Sequence, residues 1–178
     1  MRRADLLVDI CSQTTYPGYG YFISKGFDTW PEAWNAVTSG SQMHGCYNGI
    51  GSWFHAALGG IQPIPNAPGM QHILVRPAVG VRNILSASAE TNTGFGKVAV
   101  HWEVDAKSRA VVLLVTLPPN TKGLLQIDAA QGAVQEGGLD VAEAEGIQVV
   151  SERNHTGSNA REFALQAGTY RLTYQLDT

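Results

Sequence analysis

One carboxylate between two indoles is the feature of this chain with the clearest chemical potential. Thr29-Trp30-Pro31-Glu32-Ala33-Trp34 sets Glu32 between Trp30 and Trp34, just past the aromatic run Tyr16-Pro17-Gly18-Tyr19-Gly20-Tyr21-Phe22. Aromatic faces stack on the apolar C–H side of a sugar ring. A single oriented carboxylate can handle the proton chemistry at an anomeric carbon. The same residue types are first of all core formers, and a glutamate among them can be a surface residue flanked by buried rings. Composition alone favours that plainer reading.

The bulk properties narrow the function classes. A chain of 178 residues forms one sizeable domain, or one domain plus a piece of another. Its 44% hydrophobic and 15% charged content is that of an ordinary globular protein. A net charge of −3 with scattered basic residues argues against a nucleic-acid partner. No apolar run is long enough to cross a membrane, and Met1-Arg2-Arg3-Ala4-Asp5, with Asp9 soon after, makes a poor signal peptide. Cys11 and Cys46 lack metal-ligand spacing and read as two buried thiols, so neither a metal nor another cofactor is expected. The Asn154-His155-Thr156 sequon is of a kind that arises often by chance.

Two periodicities divide the elements that must position Glu32. Residues 3–14 carry Leu6, Leu7, Ile10 and Cys11 at helical spacing, and Pro17-Gly18 stops that helix. A second helix is predicted over about 42–59, where Met43, Tyr47, Ile50, Phe54 and Leu58 recur at threes and fours. Gly45, Gly49 and Gly51 weaken it in isolation and allow close packing, and Gly59-Gly60 ends it. After the linker Pro63-Ile64-Pro65-Asn66-Ala67-Pro68-Gly69 the period drops to two. Val98, Val100, Trp102 and Val104 alternate with polar or small residues, as do Val111, Leu113, Val115 and Leu117, and Tyr170, Leu172, Tyr174 and Leu176. Further strands are predicted at 72–77, 84–90, 124–128, 147–152 and 162–165, while 131–146, rich in Gly, Ala and Glu, reads as a surface excursion.

The expected architecture is therefore α + β, with a short helical piece followed by an antiparallel β-sandwich. No internal repeat is found. Two helices and an aromatic loop cannot bury their apolar faces against each other alone. Either they pack on the sandwich or they are the tail of a larger helical domain.

Four stretches, in order and at matching distances, resemble glycoside hydrolase family 78, the α-L-rhamnosidases. Tyr16-Pro17-Gly18-Tyr19-Gly20-Tyr21 is similar to the family's YPSWGYM loop, and Thr29 to Trp34 to its TTxWExW. Ser41-Gln42-Met43-His44 and the run Gly51-Ser52-Trp53-Phe54-His55-Ala56-Ala57-Leu58-Gly59-Gly60-Ile61 are similar, without a gap, to SxNHxMFGSVGxWFYxALGGI. Pro68 to Pro77 resembles PGYKHIxIRP. The resemblance implies residues 1–62 as the incomplete end of an (α/α)6 glycosidase barrel and residues 68–178 as the C-terminal β-sandwich domain.

It also implies hydrolysis of terminal α-L-rhamnosyl residues with inversion, in which one acid protonates the leaving oxygen and a late-barrel glutamate activates water on the opposite face. Glu32 matches that glutamate, and His44 matches a histidine that contacts the rhamnosyl ring. Trp34 matches a family tryptophan, whereas Trp30 falls one residue early, with Pro31 in its place; both indoles could wall the subsite. The family's asparagine before the histidine is Met43 here, its Gly-Ser after the aromatic is Asn48-Gly49, and the loop between Glu32 and His44 is short. Asp5, Asp9 and Asp28 match no family acid. The chain therefore reads as a fragment of an enzyme, or the product of a truncated gene model, that carries the base and lacks the acid. Its partner is then a rhamnosylated glycoside or polysaccharide. The alternatives are a non-catalytic carbohydrate-binding or structural sandwich module, and a fragment of another (α/α)6 glycosidase.

Overall fold

The computed structural model describes residues 3–35, 40–65, 67–82, 84–128, 130–151 and 160–177. The Asn154-His155-Thr156 sequon lies outside them, as do residues 36–39 of the short loop and Glu152 at the end of a predicted strand. The chain packs as two compact units, Met1–Phe54 and His55–Thr178.

In the first unit, α1 (Ala4–Ser12) and α2 (Tyr19–Ser24) are joined by the Tyr16-Pro17-Gly18 turn. No residue of α1 is buried. Leu6 is 44% exposed and Ile10 40%, so the apolar stripe read from the sequence is present without a covering partner among the described residues. Gly20 allows α2 to close on the end of α1, because a Cβ there would sit 2.7 Å from the Gln13 carbonyl oxygen.

The single helix predicted over 42–59 is instead three short pieces: a 3-10 turn Gly45–Tyr47, α3 (Gly49–Trp53), and a π-helical turn Phe54–Leu58. Three glycines leave the stretch with little helical propensity of its own, so its neighbours decide its form. The His44 side chain takes the Cys46 N–H and starts the 3-10 turn. At the far end Trp102 Nε1–H donates to the Leu58 carbonyl at 2.7 Å, and His55 Nε2 lies 2.7 Å from Thr91 Oγ1.

Gly60 (φ +77°) follows, pressed so closely on Pro77 that any Cβ would collide with its backbone. It turns the chain into β1 (Ile61–Pro63). The strands β2 (His72–Val75), β3 (Ser86–Thr93), β4 (Gly96–Val104), β5 (Ala110–Leu117), β6 (Lys122–Ile127), β7 (Ala130–Glu136), β8 (Leu139–Asp140), β9 (Ile147–Ser151), β10 (Arg161–Leu165) and β11 (Gly168–Leu176) complete two sheets. Their orders are β1-β2-β6-β10-β9 and β3-β4-β5-β11-β7-β8. All pairings are antiparallel except β2 with β6.

Between the sheets lies the core the alternation predicted, with Val98, Val100, Trp102, Leu113, Val115, Leu125, Phe163 and Leu172 all nearly or fully buried. The stretch 131–146 is not a simple excursion: β7 and β8 extend the six-stranded sheet beyond β11. Its small and polar side chains conceal this, because only Val134 of β7 is buried and the strand is held by backbone pairing. β1 is likewise a short strand that was not predicted, just ahead of the linker and ending on its first residue, Pro63.

Two outcomes follow from this packing. A chain beginning at His55 should melt cooperatively with a β-type circular dichroism spectrum. A chain beginning at Pro68 loses β1, the buried Ile61 and the Leu58 carbonyl that satisfies Trp102. It should be less stable by about 3–5 kcal/mol in urea unfolding, and equal midpoints would show that β1 is dispensable.

The loop 105–109 between the paired strands β4 and β5 is closed by Asp105, whose Oδ1 accepts the Lys107 N–H (3.0 Å), the Ser108 N–H (2.7 Å) and the Ser108 hydroxyl (2.8 Å). These donors, the Ser108 N–H above all, hold the Asp105 carboxyl below the usual carboxylate range. A depressed folded pKa contributes stability above the unfolded pKa and loses it as the pH falls. Asp105→Ala should therefore melt earlier than the parent at pH 7, with the gap narrowing below pH 4. A gap constant down to pH 2 would assign the effect to neutral hydrogen bonding.

Candidate active site

Trp30, Glu32 and Trp34, and the His44 that the resemblance implies, all lie in the first unit, on two backbone stretches laid side by side. Glu32 N–H donates to Ser41 O (2.9 Å), His44 N–H donates to Trp30 O (2.7 Å), and Thr29 Oγ1 donates to Gln42 O (2.6 Å). The stretch carrying Glu32 is thereby fastened along the stretch that leads to His44.

Glu32 is exposed. Its Oε2 accepts a long hydrogen bond from the Ser41 N–H (3.4 Å), while Oε1 has no partner among the described residues. Cys46 Sγ donates to the Glu32 carbonyl at 3.4 Å. The expectation of two buried thiols fails on this side: Cys11 is half-buried, but Cys46 is exposed, because its turn lies on the outside of the unit against the Glu32 stretch.

His44 is exposed and sits at the start of the 3-10 turn, where Nδ1 accepts the Cys46 N–H at 3.4 Å. With Nδ1 assigned as acceptor, the neutral ring carries its proton on Nε2, which is then a donor for a hydroxyl. The turn fixes the ring's tautomer without using its outer nitrogen.

Trp30 and Trp34 are half-buried in an aromatic cluster. Tyr19 stands edge-on to both, at centroid distances of 5.1 and 5.3 Å, and to Tyr47 at 6.0 Å. The fully buried Phe22 stacks on Trp34 at 4.9 Å with 15° between planes, and Tyr47 lies 4.4 Å from Trp34. Tyr19 Oη donates to the Tyr47 carbonyl at 3.2 Å. Burial pushes the phenols of Tyr19 and Tyr47 up, so both remain donors at neutral pH. Packing thus claims one face of Trp34, and a sugar can use only what the cluster leaves open.

The roles of Tyr19, Phe22 and Tyr47 in backing the indoles were not read from the sequence. The regular i to i+3 spacing of Tyr19 and Phe22 on α2 was the available signal. Among the described residues no group of His, Cys, Asp and Glu side chains could hold a metal ion, and no helix is long and apolar enough to cross a membrane.

Comparison with known proteins agrees with this division of the chain. The model of the bacterial α-L-rhamnosidase six-hairpin glycosidase domain matches residues 1–58, and that of the bacterial α-L-rhamnosidase C-terminal domain matches residues 60–141. A curated α-L-rhamnosidase of Formosa agariphila is 33% identical over 132 residues, which cover 69% of this chain and 14% of that protein. One of Streptomyces avermitilis is 30% identical over 134 residues, covering 70% of this chain and 12% of that protein.

Among solved structures, an α-L-rhamnosidase from Dictyoglumus thermophilum superposes with a TM-score of 0.81 at 24% identity, over 96% of this chain and 19% of that one; at this identity the likeness shows the fold. The Streptomyces avermitilis α-L-rhamnosidase complexed with L-rhamnose superposes with a TM-score of 0.71 at 26% identity, over 92% of this chain and 15% of that one. With its helical tail, its C-terminal sandwich and both family matches in register, the chain belongs to the α-L-rhamnosidases of glycoside hydrolase family 78, as their C-terminal region.

Proposed function

We propose that this chain carries the water-activating half of an inverting α-L-rhamnosidase site. Glu32 is the general base, His44 donates through Nε2 to a hydroxyl of the rhamnosyl ring, and Trp30 and Trp34 wall the subsite with their uncovered surfaces. The observation that carries the reading is the hydrogen-bonded pairing of the Glu32 and His44 stretches. It sets an exposed carboxylate and an exposed imidazole on neighbouring backbone, in the unit that holds the aromatic cluster.

In this reading the proton donor lies outside residues 1–178, since inversion needs a second carboxyl group about 6.5–9.5 Å from the first. Residues 1–62 are then the end of the barrel and residues 68–178 the domain that follows it in sequence. The uncovered Leu6 and Ile10 of α1 support this, being the face a neighbouring barrel helix would take. The substrate is a rhamnosylated glycoside or polysaccharide.

The test is the anomer first released from an aryl α-L-rhamnoside by a chain that includes the whole six-hairpin domain, followed by proton NMR. β-L-rhamnose is expected first, and α-L-rhamnose first would overturn the inverting assignment. The 178-residue chain alone should not hydrolyse the same substrate, whichever residue stands at 32.

A further inference from the structure

We infer that the outer face of the six-stranded sheet holds a binding groove for a neutral saccharide, centred on Ala99 and separate from the Glu32 site. Strand register builds it. Ser88 of β3 lies opposite His101 of β4, which lies opposite Leu114 of β5; one step along, Glu90 lies opposite Ala99, which lies opposite Thr116. The methyl group of Ala99 is thus ringed by longer side chains on its own strand and on both neighbours. A short residue among long ones on a pleated face leaves a pit, and here it has a volume of about 390 Å³. That is at the small end of the range of ligand pockets, roughly 300–1,000 Å³.

The lining is amphipathic in the way a sugar ring is. Ala99 and Leu114 offer an apolar floor to a C–H face. Around it the hydrogen-bonding roles are assigned by neighbours outside the pit. Glu103 Oε1 accepts from His101 Nε2 at 3.0 Å, which leaves Nδ1 to accept the Ser88 hydroxyl proton at 2.6 Å. Ser88 Oγ therefore faces a ligand with its lone pairs.

Lys97 Nζ holds Oε2 of Glu90 at 3.1 Å and leaves Oε1 as an acceptor beside it. Thr116, whose Oγ1 lies 3.3 Å from Thr169 Oγ1, adds a hydroxyl at the opposite wall. Adjacent acceptors over an apolar floor suit the vicinal hydroxyls of a neutral sugar. Glu90 and Glu103 are offset by Lys97 and by Arg171, which lies opposite Leu114 on the same face, so no net positive charge attracts an acidic one. None of these groups belongs to the stretch that carries Glu32 and His44.

Amide NMR of the isotopically labelled 178-residue chain tests this, with methyl α-L-rhamnoside, methyl β-D-galactoside and methyl α-D-glucuronide as probes. Saturable shifts at Ser88, Ala99, His101 and Leu114 are expected with at least one of the two neutral glycosides and not with the glucuronide. Ala99→Leu, which fills the pit, should abolish them. Ser88→Ala should weaken binding roughly tenfold, as for loss of one hydrogen bond, and provides a second reading at an exposed position if the leucine disturbs the fold. Glu32→Gln should leave the titration unchanged, so the groove and the hydrolytic site stand or fall separately. Absence of saturation with both neutral glycosides, preference for the glucuronide, or undiminished binding by Ala99→Leu would each overturn the inference.

Discussion

Glu32→Gln, placed in a chain that carries the complete six-hairpin domain, should lower kcat for an aryl α-L-rhamnoside on the order of 10²–10⁴-fold while changing KM little. A base that takes a proton from the attacking water acts in the transition state, so its loss falls on turnover and not on ground-state binding. Glutamine keeps the volume, and its amide oxygen can still accept from the Ser41 N–H, so the stretch it occupies should hold. His44→Ala should show the opposite split, raising KM with a smaller effect on kcat, because a hydroxyl contact to the ring is made before and during reaction.

Azide provides the sharpest control. With Glu32→Ala it can replace the activated water, and formation of the inverted glycosyl azide would mark Glu32 as the base. If Glu32→Gln kept near-parental kcat, Glu32 would be a surface residue beside a packed aromatic cluster and nothing more.

The second large effect concerns stability. Trp102→Ala should cost about 3–5 kcal/mol, the range for deleting a fully buried large aromatic side chain. Trp102 is fully buried between the sheets, and its indole N–H satisfies the Leu58 carbonyl at the end of the π turn. The comparison with Trp102→Phe separates these contributions. Phenylalanine keeps most of the apolar volume but leaves the Leu58 carbonyl without its donor, a loss of about 1–3 kcal/mol for a buried acceptor. Urea midpoints at unchanged m-value would report both numbers. Equal losses for the two variants would place the whole effect in the hydrogen bond, and a neutral Trp102→Phe would place it in packing.

The sandwich was legible because it rests on alternation. In β4, β5 and β11 every second residue is large and apolar, and a period of two allows one face only to turn inward, so the core residues of these strands followed. β7 and β1 were not legible for the same reason in reverse. β7 buries one large side chain and is held by main-chain bonds to β11, and β1 is a single three-residue strand whose Ile61 enters the core just before the Pro-rich linker. Backbone pairing leaves no mark on side-chain type.

The sequence by itself set Glu32 between two indoles and carried four family-like stretches in order, and it was the resemblance of those stretches that singled out Glu32 and His44 as candidates. The form of the segment that follows His44 was decided only in three dimensions. Its glycines give it no strong helical preference, so the His44 side chain starts a 3-10 turn while Trp102, far away in sequence, caps the last carbonyl of the π turn at the other end. The tertiary structure also decided what the indoles do first, which is to pack edge-to-face and stacked on Tyr19, Phe22 and Tyr47. Aromatic residues announce their presence in a sequence, but which face is covered and which is free depends on neighbours brought together by the fold. The pit over Ala99 shows the same division: its residues alternate plainly along their strands, but only the register between three strands sets a small side chain in the centre of long ones.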